Sequence, residues 1–280
     1  MVSCLILMSL FITIVLMARQ IQHENIASHS NRPSISIAKT NPVILQLLAG
    51  DFKGIISDYL VLQTSQFIGE AEQNIPNEDL EALAHLLGKA QQLDPYFFTI
   101  PYYAEGSLAK NSFIVKKINT ILQTSDKHRK WDWEPGFYLG FNYFYYLNQT
   151  KKASDVLQQA SLRPDAPIIL GFLAAKFRNQ SGQTAAAIRL LEIMRQTTKN
   201  KQSRTEIAKR LKGYQGILIL EKKIDEYYKK FKHFPSKLND LIKSGIIKQL
   251  PKNPYYQHFW YKPENGEVSF FPFEQTGHRQ

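Results

Sequence analysis

The chain is predicted to be mostly α-helical: an array of paired antiparallel helices followed by a small α+β module that ends in a β-hairpin. Three observations predict this. From Val43 to about Thr197, apolar residues recur at spacings of three and four, and Gly, Asn, Asp and Pro interrupt them about every 12 to 18 residues. No stretch before residue 255 shows the alternation of a half-buried strand. Near the carboxyl end, Phe259, Tyr261, Val268 and Phe270 alternate around Glu264-Asn265-Gly266-Glu267, and Asn-Gly is the preferred centre of a two-residue hairpin turn.

Residues 1–18 carry no charged side chain, and Cys4 to Met17 is apolar except for Ser9 and Thr13. Nothing basic precedes the run, and Leu16-Met17-Ala18 is a poor cleavage site, so an uncleaved membrane anchor is expected rather than a signal peptide. Residues 19–42 are polar and rich in Ser and Asn, as in a tether. The helical body then occupies 43–200, and a long basic helix with its hairpin module occupies 201–280. Within the body, helices are expected near 43–50, 52–70, 77–93, 96–109, 112–124, 134–148, 150–163, 166–179 and 183–197.

One unit stands out in the body: Leu139-Gly140-x-x-Tyr143, then Ala153, Leu157, Ala160 and Pro164. Small residues at Gly140, Ala153 and Ala160 let two helices approach, Tyr143 and Leu157 fill the space between them, and proline turns the chain. The pattern resembles the tetratricopeptide repeat. A second unit is read at Leu173-Ala174-x-x-Phe177 with Ala186, Leu190 and Ile193, and an earlier second helix at Leu87, Ala90 and Leu93-Asp94-Pro95. The resemblance covers residues 77–197. It implies a helical-hairpin solenoid whose concave face holds a protein or peptide segment and whose function is not enzymatic. Aromatic residues cluster in the body, and a run such as Tyr143 to Tyr146 cannot point every ring inward. Tyr102, Tyr103, Tyr138, Tyr145 and Tyr146 are therefore candidate partner-binding residues.

The last module begins with a long amphipathic helix whose apolar face is expected to hold Ile207, Leu211, Tyr214, Leu218, Ile224, Tyr228 and Phe231, with an end near Phe234-Pro235. A short helix around Leu238, Leu241 and Ile242 follows and stops at Gly245. Tyr227 or Tyr228, Pro235, Leu238, Leu241, Gly245-Ile246-Ile247, Leu250-Pro251-x-Asn253-Pro254 and Phe259-x-Tyr261 together resemble the globular end of the type II secretion major pseudopilins over residues 217–270. Asn253 stands where that family has Asp, and Tyr255 and Gln257 replace its Trp-Gly. The resemblance implies an extracytoplasmic body on the inner membrane, docked to a secretion or pilus-type assembly. The tail 236–280 is expected to have a core of its own.

The net charge of +11 belongs to one segment, since Arg195 to Pro254 holds 16 Lys and Arg against 5 acids. Lys209, Arg210, Lys212, Lys222, Lys223, Lys229, Lys230 and Lys232 form a candidate basic surface. Binding of nucleic acid or anionic lipid there is the alternative function, with nucleic acid the less expected partner. A single cysteine excludes a disulfide scaffold and a thiolate zinc site. The seven histidines never fall at i, i+4, and the sequence has no phosphate-cradling glycine loop and no nucleophile elbow. No enzyme, metal or cofactor is expected.

Overall fold

The computed structural model describes residues 41–70, 75–109 and 112–273. The expected anchor and nearly all of the tether lie outside the described residues. Among those described, no helix is long and apolar enough to cross a membrane. The chain divides into two compact units at Arg129–Lys130, inside the stretch read as one body.

Unit 1 is helical. Asn41 caps α1 (Pro42–Ala49), its side chain accepting from Val43 N at 2.9 Å. A single 3₁₀ turn (Gly50–Phe52) leads into α2 (Lys53–Glu70). Then come α3 (Asn77–Leu93), α4 (Thr99–Leu108) and α5 (Ser112–His128). Helix α4 starts three residues later than its pattern suggests, because Asp94 closes a turn by accepting from Tyr96 N at 3.0 Å. The core lies between α2, α3 and α5 and contains Leu60, Leu83, Leu86, Leu87, Ile114, Ile118 and Leu122.

In unit 2, α6 (Glu134–Tyr145), α7 (Thr150–Ser161), α8 (Ile168–Gln180), α9 (Thr184–Thr197) and α10 (Lys201–Phe231) each pack on the next. Leu139, Gly140, Ala153, Leu157 and Ala160 are buried, Tyr143 is half-buried, and Pro164 is exposed in the turn after α7. A Cβ on Gly140 would sit 2.5 Å from Leu157 Cγ, so the small residue sets how closely α6 and α7 approach. The second unit keeps this plan in a register one residue later than the sequence reading. Of the residues read there, Leu190 is buried, but Ala186 is half-buried and Ile193 exposed, and the buried set in the repeat register is Ala187, Leu191 and Met194. These three lie 34 residues after Ala153, Leu157 and Ala160, and Ala174 and Phe177 keep the same spacing from Gly140 and Tyr143.

Helix α10 differs from its expected face in its second half. Ile217, Leu220 and Tyr227 are buried, Leu218 is half-buried, and Tyr228 and Phe231 are exposed. Partners on two sides, α9 and the hairpin, pull burial off a single stripe. The helix ends at Phe231, earlier than the proline suggests, because Lys232 turns left-handed at φ 62°. After α11 (Asn239–Lys243) and Gly245 at φ +74°, the chain reaches the antiparallel pair β1 (Trp260–Lys262) and β2 (Glu267–Ser269). Lys262 pairs with Glu267, so the loop has four residues, Pro263 to Gly266, instead of a two-residue Asn-Gly turn. Gly266, at φ +74°, closes it by donating to Lys262 O at 2.9 Å.

Two glycines seat the hairpin. A Cβ on Gly213 would lie 2.8 Å from the Phe270 ring, and one on Gly216 would lie 2.5 Å from Phe259 Cζ. Phe259, Val268 and Phe270 thereby reach the inner face of α10 and are buried. The resulting hydrophobic core is continuous from Ala153 on α7 through α8, α9 and α10 to Phe270, so the tail 236–280 shares this core and does not have the separate one expected.

Candidate functional site

Residues three, four and seven apart share one helix face. On α8 that spacing aligns Ile169, Phe172, Leu173, Lys176 and Gln180. On α10 it aligns Arg210, Tyr214 and Ile217. These two faces, with Phe144 of α6 and the run from Glu267 to Phe273, enclose a cleft of about 640 Å³ in unit 2. The volume lies within the range of ligand pockets, about 300–1,000 Å³. The main lining comes from α8, from Lys262 with the run Glu267 to Phe273, and from α10, while α6 and α7 supply one residue each, Phe144 and Thr150, and α9 none.

Arg210 is the cation at the centre of this arrangement. Its guanidinium carbon lies 4.1 Å from the centroid of Phe172 and 5.3 Å from that of Phe271, within cation–π reach of both rings. Its Nε is 3.7 Å from Glu206, too long for a hydrogen bond. Glu206 instead accepts from the Tyr255 hydroxyl at 2.7 Å. Burial pushes the Tyr255 phenol upward, reinforced by that bond to Glu206, and burial raises Tyr214 as well. At the rim, Lys262 pairs with Glu267 at 3.2 Å.

The other candidates separate. Tyr102 and Tyr103 lie half-buried on α4 of unit 1. Tyr138, Tyr145 and Tyr146 belong to unit 2 and do not line the cleft. Successive residues on a helix point about 100° apart. Tyr143 accordingly packs on the core, Phe144 enters the cleft, Tyr145 is exposed, and Tyr146 is half-buried. Phe141 stacks on Tyr145 at 5.3 Å, and Tyr146 meets Tyr145 edge-on at 5.0 Å, giving a small aromatic cluster on α6.

Lys209, Lys212, Lys222, Lys229, Lys230 and Lys232 are exposed, and Lys223 pairs with Glu226 at 2.7 Å. Arg210 leaves this set by turning into the cleft. A separate shallow groove at the α9–α10 junction gathers Arg195, Lys199, Lys201 and Arg204 with no acid in its lining.

No protein family, curated protein or solved structure is found to match this chain. The cleft itself was not legible in the sequence. The available signal was the 34-residue register, which makes Ile207-Ala208-x-x-Leu211 a third copy of the first-helix marks. Among the described residues, no group of His, Cys, Asp and Glu could hold a metal ion. His85 is exposed, 3.7 Å from Glu81.

Proposed function

We propose that this chain is a non-enzymatic, membrane-anchored interaction protein. Its helix pairs form a tetratricopeptide-like groove that holds a segment of a partner protein. One observation carries the reading: α8 and α10 both face the cleft while α9 between them contributes nothing, as alternate helices of a hairpin stack share one side, and the run Glu267 to Phe273 completes the wall. The 34-residue spacing of the buried small and large residues supports the same repeat. The pseudopilin-like order of the last module favours an extracytoplasmic body on the inner membrane, acting as a scaffold or assembly factor for a secretion or pilus-type system.

The test is a photo-crosslinking residue at Ile169, which is 48% exposed in the cleft, installed in the full chain in its native cell. A discrete adduct to an envelope assembly component, missing when the crosslinker sits at exposed Lys252, is expected. Identical adducts from both positions would remove the groove from the function.

A second reading rests on the acid-free groove of Arg195, Lys199, Lys201 and Arg204, which suits a polyanion such as nucleic acid or anionic lipid. Binding through it weakens steeply with salt, more steeply than contact with the cleft, whose lining mixes aromatic rings with Arg210 and the Lys262–Glu267 pair.

A further inference from the structure

Helices α1 and α2 are apolar on two sides. Their inner sides are satisfied within unit 1: Ala49, Leu60 and Val61 are buried, Ser57 donates to Ala90 O at 3.0 Å, and Gln46 donates to Gln92 O at 3.0 Å. The outer side is different in kind. Leu47 and Leu48 are 77% and 78% exposed, and Phe52, Ile55 and Leu62 are each at least 65% exposed. Val43, Ile44 and Tyr59 are also exposed. Phe52, the last residue of the 3₁₀ turn, and Ile55, Tyr59 and Leu62 of α2 follow helical spacing. The only charged residues from Val43 to Leu62 are Asp51, Lys53 and Asp58. Scattered exposed leucines need no explanation, but eight large apolar side chains on two consecutive helices mark a surface made to be covered.

The place of this face in the chain says by what. The apolar run of residues 1–18 is separated from α1 by only the 23 residues 19–41. A coil of 23 residues has a root-mean-square span of about 25–30 Å. Once the run is inserted, α1 is held at a distance comparable to one leaflet and its headgroups. Among the described residues of α1, the 3₁₀ turn and α2 up to Leu62, Asp51, Lys53 and Asp58 are the only charges, fewer than the polar rim of a specific protein interface carries.

We propose that the outer face of α1 and α2 lies on the bilayer, its leucines and Phe52 entering the boundary between headgroups and acyl chains, so that unit 1 is docked flat on the membrane that anchors the chain. This rests on the anchor reading of residues 1–18. With few cations on these helices, the docking is driven by apolar area and is insensitive to salt, unlike that of basic amphipathic helices.

The test uses the full chain incorporated in phosphatidylcholine vesicles, with Cys4→Ser and a single cysteine at position 47, 52, 55 or 62 carrying an environment-sensitive fluorophore. Lys116→Cys, an exposed position of α5, serves as the aqueous control. All four labels are expected to shift to the blue and to be quenched by lipids carrying a nitroxide near the headgroup, while the label at 116 stays wet and unquenched. High salt leaves the quenching unchanged. Wet labels in carbonate-resistant, membrane-inserted chain would overturn the docking and leave the anchor standing. Release of the chain by carbonate would refute the anchor, and the proposal with it. Dry labels that escape lipid quenching and become wet on dilution with lipid would assign the face to a second copy of the chain instead.

Discussion

Asn253 stands where the pseudopilin pattern has aspartate, and the structure makes that difference consequential. Its side chain is buried, and its amide nitrogen donates to His258 O at 2.7 Å and to Phe270 O at 2.9 Å. Its oxygen accepts from Tyr255 N at 2.9 Å and from Tyr256 N at 3.3 Å. Two carbonyls on one side and two N–H groups on the other fix the amide orientation. The residue thereby ties the loop after Pro251 to the chain leaving β2.

Asn253→Asp keeps the shape and removes both donors, since an ionised carboxylate only accepts. Losing two neutral hydrogen bonds costs about 2 kcal/mol, and the charge facing two carbonyl oxygens costs more. That further cost has a ceiling, because taking up a proton at pH 7 costs a carboxyl of ordinary pKa about 4 kcal/mol. The protonated acid also recovers one donor. The deficit at pH 7 should therefore fall between about 2 and 5 kcal/mol.

The sign with pH follows. The variant's carboxyl has its folded pKa raised, so the charge penalty is absent below the unfolded value and grows as pH rises through it. Near pH 4 the deficit should shrink to about 1 kcal/mol. Urea unfolding followed by tryptophan fluorescence measures this in unit 2, which contains all three tryptophans, Trp131, Trp133 and Trp260. Equal stability of variant and native protein at pH 7, or a deficit of the same size at pH 4, would refute the assigned network.

Gly216→Ala gains about 1 kcal/mol of helix propensity but drives a methyl group into Phe259, for a net loss of up to about 2 kcal/mol. Adding Phe259→Leu should recover part of that loss in a double-mutant cycle, and strict additivity would unseat the hairpin from α10. Gly140→Val meets Leu157 in the same way and should lower the thermal midpoint of unit 2; an unchanged midpoint would undo the repeat register. Glu221 accepts from the Thr184 hydroxyl at 2.9 Å, yet burial, aided by Asp225, pushes its carboxyl above the usual range. Its contribution is complete below the unfolded pKa and is lost as pH rises through the folded one, so Glu221→Gln should raise the urea midpoint at pH 7 and leave it unchanged at pH 4. Tyr261, pushed up to about 12 chiefly by burial while its hydroxyl donates to Pro235 O at 2.8 Å, loses stability above pH 10 by the same linkage. Tyr261→Phe should flatten that alkaline limb.

By itself, the sequence determined the helix order and the presence of one terminal hairpin, and it placed the helix boundaries to within about four residues. These follow from local quantities: apolar spacing, Asn41 and Asp94 at turns, and glycine where the backbone turns left-handed. It also determined that Leu139, Gly140, Ala153, Leu157 and Ala160 would be buried, since one helix pair suffices to bury them. The tertiary structure alone decided which face of α10 is buried in its second half, because a helix with partners on two sides has no single apolar stripe. It alone turned Arg210 away from the lysines and toward Phe172 and Phe271, and it alone seated Phe259 and Phe270 against Gly216 and Gly213. A glycine in a helix reads locally as a weakness costing about 1 kcal/mol, and only the ring that fills the space shows why it is there. The exposed face of α1 and α2 was hidden for the converse reason: apolar spacing records that a residue seeks cover, and only the packed fold shows that the cover has to come from outside.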